Sequence, residues 1–120
     1  IYGDALEWMK RLAKRGDRHD LVILDPPTFS RSKQSGVFLA KRDYGSLAKA
    51  AAPLVRNGGM LLACCNAAGL SNAKFREEVR RGIRASGRKI VGAFLAMQPP
   101  DFPVTKTEPA YLKVSWLRLD

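Results

Sequence analysis

The sequence predicts an α/β fold: a mostly parallel sheet with a final antiparallel strand and helices on both faces. Three observations predict it. Helical and strand patterns alternate along the chain, the signature of mixed layers. The apolar runs 21–24 and 60–65 are continuous, as in parallel strands buried on both sides. Two strand patterns, 88–97 and 111–119, follow one another with no helix between them, which suggests an antiparallel ending.

The first helix is expected over 5–15. Asp4 precedes it, and Glu7 stands three residues on, in the spacing of a capping box. Leu6, Met9 and Leu12 form its apolar stripe, with Ala5 and Trp8 nearby, and Gly16 ends it. A short buried strand, 20–25, stops at Asp25-Pro26-Pro27, because proline cannot continue a ladder. A polar loop, 28–36, follows. Tyr44, Leu47, Ala48, Ala51 and Leu54 recur at helical spacing and predict a helix over 40–56, tightened or kinked by Pro53 and stopped by Asn57-Gly58-Gly59. The next strand is 60–66. Ser71 caps a helix over 72–86 whose core stripe is Phe75, Val79 and Ile83, with Arg76, Arg80 and Arg84 in a neighbouring stripe. Strand 88–97, a proline-rich loop and strand 111–119 complete the chain.

The 120 residues bound the chain to one domain, large enough for a single core. With 46% apolar and 27% charged residues the composition is that of a folded protein, and no run approaches the length of a membrane span. No charged-then-apolar pattern opens it, so a secretory signal is not expected. Lys plus Arg number 21 against 11 Asp plus Glu, a net charge of +10. So positive a body favours a polyanionic partner, with nucleic acid first. The only cysteines, Cys64 and Cys65, are neighbours, and strand alternation sends their side chains to opposite faces. That excludes a disulfide framework and suits a reducing cytosol. Two cysteines and one histidine make no convincing zinc set, so no metal is expected.

The residues that suggest chemistry stand at strand ends. In open α/β sheets ligands bind outside the carboxyl ends of the strands. Asp25-Pro26-Pro27-Thr28-Phe29 lies there: a carboxylate that can accept from an exocyclic amine, beside stiff proline carbonyls, with the basic loop residues Arg31 and Lys33 behind it. Cys64-Cys65-Asn66 ends the next strand. One thiol can face the rim as a nucleophile while the other packs. Asp4, by local chemistry alone, is a plain N-cap. The arginine stripe is read evenly as a solvated face or as a phosphate contact.

In order, Gly3-Asp4-Ala5, Asp25-Pro26-Pro27-Thr28-Phe29 with Ser32-Lys33, Arg42-Asp43-Tyr44, Gly58-Gly59, Cys64-Cys65-Asn66, Pro103-Val104 and Pro109-Ala110-Tyr111-Leu112-Lys113 resemble the methyltransferase domain of the bacterial 23S rRNA 5-methylcytosine methyltransferases. These are class I enzymes dependent on S-adenosyl-L-methionine, in a group that includes rRNA guanine methyltransferases. The resemblance implies that the chain is the C-terminal half of a Rossmann-like sheet whose last strand inserts between the two before it. It implies cofactor contacts at Asp4 and Ala5, a base-holding loop of Asp25, Pro26 and Pro27, and Cys65 as the covalent nucleophile. Beside it, Asp25 is expected to touch the cofactor and take part in catalysis, and the positive loop is expected to supply further RNA contacts at Phe29, Arg31, Lys33 and Arg42. The thiolate of Cys65 would add to C6 of cytosine, C5 would take the methyl group, and a base would then remove the C5 proton so that the thiol leaves. Guanine methyltransferases of the group carry an asparagine-containing segment at the cysteine site, so Asn66 leaves a non-covalent route open.

No Gly-x-Gly-x-x-Gly loop occurs, and the chain begins at Ile1. The expectation is therefore a partial methyltransferase domain over 1–120. The upstream cofactor-binding half and any N-terminal RNA-binding domain are absent in that reading, and the piece alone is inactive or no more than an RNA-binding remnant. Expected partners are rRNA, not a membrane, and a second copy through an exposed edge of strand 20–25. RNA binding near 28–42 should weaken with salt. Cys65 is expected to be accessible near Asp25, and Cys64 packed against a helix.

Overall fold

A computed structural model describes residues 3–33, 36–96, 98–102, 104–107 and 109–120. Helix α1, Ala5–Arg15, starts where one carboxylate oxygen of Asp4 accepts the amide hydrogens of Leu6 (3.0 Å) and Glu7 (3.2 Å), groups that the first turn cannot satisfy itself. Strand β1 is His19–Leu24. A hairpin of β2, Phe29–Ser32, and β3, Gly36–Leu39, occupies most of the span expected to be loop. Its strands are too short and too exposed to print an apolar pattern on the sequence.

Helix α2 covers Ala40–Ala51 and tightens into a 3₁₀ turn, Ala52–Leu54, at Pro53. Strand β4, Val55–Cys65, then begins before the glycine pair expected to end the helix. His19 pairs with Val55 and Leu21 with Met60, so the extra β4 residues around Gly58-Gly59 form an irregularity inside the strand. Helix α3, Asn72–Ala85, starts at the Ser71 cap, whose hydroxyl oxygen accepts from the Lys74 amide at 3.2 Å. β5, Ile90–Ala96, and β6, Lys113–Leu119, complete the sheet.

The sheet order is β1-β4-β6-β5. β1 and β4 are parallel, and β6 runs antiparallel to both β4 and β5. The inserted last strand is as expected, and so are the α/β class and the mixed sheet. β1 is an edge strand with β4 as its one partner among the described residues.

Register explains the layers. Leu61, Ala63 and Cys65 of β4 point with Leu24, Leu117 and Leu119 into the core, against Tyr44, Leu47 and Ala48 of α2 and Phe75, Val79 and Ile83 of α3. The Tyr44 and Phe75 rings meet edge to face at 4.9 Å. Burying a side chain such as Phe75 contributes about 1.5–3 kcal/mol. Helix α1 packs beside α2 and the 3₁₀ turn, so the three helices gather on one face. The expectation of helices on both faces is met on that face alone among the described residues. Across the other face Ile23, Leu62, Trp116 and Phe94 stand in register as an apolar row, with Ile23 and Phe94 exposed.

The far end of the sheet is held by Arg88, whose Nη1 donates to the carbonyls of Ala52 (3.0 Å) and Val55 (2.5 Å) and whose Nε donates to that of Asp120 (2.9 Å). Among the described residues no helix is long and apolar enough to cross a membrane.

Candidate active-site rim

Because β1 and β4 are parallel neighbours, their carboxyl ends open on one rim, with Asp25 following one strand and Asn66 the other. The hydroxyl of Thr28 donates to Oδ1 of Asn66 at 3.0 Å, tying the two strand-end loops together. Below the rim the Tyr44 hydroxyl reaches the carbonyls of Cys64 (2.6 Å) and Leu24 (3.1 Å). Burial, and then the nearby Cys65 and Cys64, push that phenol far above its ordinary range, so it remains a donor. Tyr44→Phe is expected to lower stability by about 1–3 kcal/mol, because two strand-end carbonyls lose this donor. A thermal melt checks it, and an unchanged midpoint would show that the phenol does not hold the rim.

A third strand-end piece is set by Lys113, which is 4% exposed. Its Nζ donates to the carbonyls of Ala67 (2.9 Å) and Tyr111 (2.6 Å), fixing the turn that follows Asn66. Oε1 of Gln98 accepts from the amides of Tyr111 and Leu112, each at 3.2 Å.

The structure brings the expected cofactor and base residues together. Asp4 and Ala5 at the start of α1 and Asp25, Pro26 and Pro27 after β1 line one groove of about 540 Å³. Trp8, Met9, Leu24 and Phe38 make it largely apolar, with Asp4 and Asp25 adding carboxylates to its lining. The groove needs glycine at position 3: its φ is +136°, and a Cβ there would lie 2.8 Å from the Trp8 indole nitrogen. Such a slot fits a flat, largely apolar adenosine with polar edges.

Other expected residues lie apart. Alternation along β2 turns Ser30 and Ser32 into the groove lining. Arg31 and Lys33 are exposed and do not line it. Phe29 is 58% exposed and pairs with Leu39 across the hairpin. Arg42 is engaged: its guanidinium grips both carboxylate oxygens of Asp43 at 2.7 Å and the Val37 carbonyl at 2.9 Å. That contact holds the Asp43 carboxyl below its usual range, and Asp43 in turn accepts the Leu39 amide ahead of α2. Arg42 therefore braces the hairpin.

The cysteines do lie on opposite faces, but the faces are exchanged. Cys65 is 1% exposed on the helix-covered side, and Cys64 is half-buried on the open side. Cys65 follows the buried phase of β4, set by Leu61 and Ala63. Burial pushes the Cys64 thiol up, the Asp25 charge adds to this, and neither favours a thiolate at neutral pH.

Sequence reasoning placed Thr28 in the strand-end motif without giving it a role, and missed Ser30, Ser32, Tyr44, Gln98 and Lys113 as parts of the site. Tyr44 was visible as a core position, and the polar reach of its hydroxyl needed the fold. Lys113 stood in a strand pattern that gave no sign of burial.

The chain matches the model of the S-adenosylmethionine-dependent methyltransferase family over residues 4–118. It is 33% identical over 122 aligned positions to a ribosomal RNA large subunit methyltransferase of Deinococcus radiodurans, covering 100% of this chain and 29% of that protein. A ribosomal RNA large subunit methyltransferase K/L of Methylococcus capsulatus is 43% identical over 67 residues, 55% of this chain and 9% of that protein. A methyltransferase crystallised with S-adenosylhomocysteine superposes with a TM-score of 0.82 at 26% identity, covering 98% of this chain and 30% of that one.

Proposed function

We propose that this chain, which belongs to the S-adenosylmethionine-dependent methyltransferase family, forms the part of a catalytic domain that receives the methyl-accepting base, and that the base lies in large-subunit rRNA. The chain spans under a third of the relatives it matches end to end, so the activity is that of a whole protein in which these elements take part. The names of those relatives and the net charge of +10 support the RNA substrate. Such a reaction belongs in the cytoplasm.

Bound S-adenosyl-L-methionine supplies an electrophilic methyl group. Asp4, Ala5 and the apolar groove wall would hold its adenosine, and Asp25, which lines the groove and follows β1 at the rim, would accept from an amine of the target base. Pro26 and Pro27 stiffen the loop and offer carbonyls without competing N–H groups. Thr28 ties Asn66 to this loop, and Asn66 lines a neighbouring cavity with Gln98 and Tyr111 rather than the groove itself.

The single observation that supports a choice of chemistry is the burial of Cys65. A covalent route to C5 of cytosine requires its sulfur to meet C6 of the base, and that sulfur sits in the core. Asn66, exposed and hydrogen-bonded at the rim, can orient a guanine, whose amine nitrogen takes the methyl group and gives up its proton to the Asp25 carboxylate or to water, with no enzyme nucleophile. The supported reading is methyl transfer to a guanine nitrogen; covalent methylation at C5 of cytosine is the competing one.

The test is to methylate large-subunit rRNA with the whole protein and identify the modified nucleoside. A methylguanosine is expected, with Cys65→Ala active and Asn66→Ala slowed about tenfold by loss of one hydrogen bond. A 5-methylcytosine product together with a trapped adduct on 5-fluorocytosine RNA would establish the cysteine route instead.

A further inference from the structure

We infer that the outer face of α3 is a second RNA contact, a track of arginines that grips one strand's phosphates away from the rim. The inference rests on the RNA-substrate reading above. Arg76, Arg80 and Arg84 recur every fourth residue, so they stand on one face about 6 Å apart along the helix. That interval is close to the distance between successive phosphates along a strand. Together with Arg81, Ala73 and Leu95 they line a groove of about 680 Å³ beside β5.

The charge there is not neutralised internally. Arg81 is paired with Glu78 at 2.5 Å, but Arg76, Arg80 and Arg84 form no ion pair among the described residues. Among the described residues Glu77 is the one carboxylate in the groove lining, against four guanidinium groups. Arginine forks suit phosphate oxygens better than lysine does, and Leu95 offers a small apolar floor for a sugar or base edge.

The position is informative as well. α3 begins at Asn72, directly after the turn that follows Asn66, so the row leads away from the rim. RNA whose target base enters at Asp25 and Asn66 can lay its flanking backbone along it. A membrane surface is the poorer partner. The apolar residues of α3, Phe75, Val79 and Ile83, are 0–1% exposed in the core, so the helix presents no apolar stripe of its own to lipid.

The test compares the whole protein with the triple variant Arg76→Gln/Arg80→Gln/Arg84→Gln, measuring affinity for a large-subunit rRNA fragment as a function of salt. A control triple, Lys10→Gln/Lys14→Gln/Lys49→Gln, removes equal charge elsewhere. The arginine variant is expected to bind more weakly and to lose about 2–3 from the slope of log affinity against log salt, at about 0.7–0.9 per phosphate contact. Cofactor affinity and melting temperature should be unchanged, and the control should lose less than half as much slope. An unchanged slope in a variant that still binds RNA overturns the arginine track and leaves the rRNA reading standing. An equal loss in the control overturns it too, by assigning the effect to overall charge. Binding of phosphatidylserine vesicles that the triple variant abolishes, with its RNA slope intact, would transfer the face to a membrane. No RNA affinity in the unmodified protein would overturn both readings.

Discussion

Asp25→Ala in the whole protein is expected to lower methyl transfer by about 100- to 1,000-fold, the size typical of losing one preorganised polar group at a reacting centre. The carboxylate stands where β1 ends, exposed, and lines the groove that also holds Asp4 and Ala5. Pro26 and Pro27 follow it and bring no amide hydrogen to replace a lost partner. Asp25→Asn keeps one acceptor oxygen and should recover part of the rate, which separates hydrogen bonding from loop disruption. A second readout is independent of turnover. The Asp25 charge is, after burial, a cause of the raised Cys64 thiol. Its removal should lower that thiol's pKa, raise the thiolate fraction at fixed pH and quicken alkylation of Cys64. Turnover within a few-fold of wild type would remove Asp25 from the chemistry.

The parts of the fold that were legible are those whose pattern is local. The α1 boundaries follow from Asp4 and Gly16, and α3 from Ser71 and the Phe75, Val79, Ile83 stripe. The order of the sheet came from family resemblance, since no local pattern encodes which strand lies between which. The β2–β3 hairpin escaped because four-residue strands are too short to show a period: β2 is mostly polar, and the apolar run of β3 merges with the start of the helix pattern. The start of β4 escaped for a different reason: Gly58-Gly59 reads as a helix stop, and only pairing with β1 turns it into an irregular stretch of strand. At the site, the rim position of Asp25 was legible from strand ends, whereas the place of Asp4 beside it came from the family resemblance, because local chemistry reads Asp4 as a plain N-cap. Which cysteine faces the helices was not legible. Alternation divides Cys64 from Cys65 but assigns neither a face until the phase of Leu61 and Ala63 against α2 and α3 is known. Arg42 shows the same limit, since its neighbour Asp43 decides whether the guanidinium is available.

Gly82→Ala is expected to destabilise the protein more than any other alanine substitution at its glycines. In an exposed helix interior this change would stabilise by up to about 1 kcal/mol through helix propensity. Here α2 and α3 cross at Gly45 and Gly82, and a Cβ on Gly82 would lie 2.1 Å from the Gly45 carbonyl oxygen and 3.0 Å from the Ala48 Cβ. That oxygen belongs to backbone and cannot swing aside, so α3 must move away. Moving it draws Phe75, Val79 and Ile83 out of their contacts with α2 and the sheet, which converts a local clash into lost burial. Overpacking of this kind costs about 1–3 kcal/mol, and more where backbone must shift, so it outweighs the propensity gain. Each kcal/mol lowers the melting temperature by about 2–8 °C for domains of this size range. Gly45→Ala should be milder, because its Cβ meets the flexible ends of Arg81 (2.7 Å) and Glu78 (2.9 Å) before the Glu78 carbonyl at 3.2 Å. Gly69→Ala, with nothing within 4 Å, should be near neutral. Thermal unfolding of the three variants reads the order directly. A Gly82→Ala protein that melts at or above the wild-type temperature would mean that the two helices do not approach at this point, and that Tyr44 is not held against the rim by their packing.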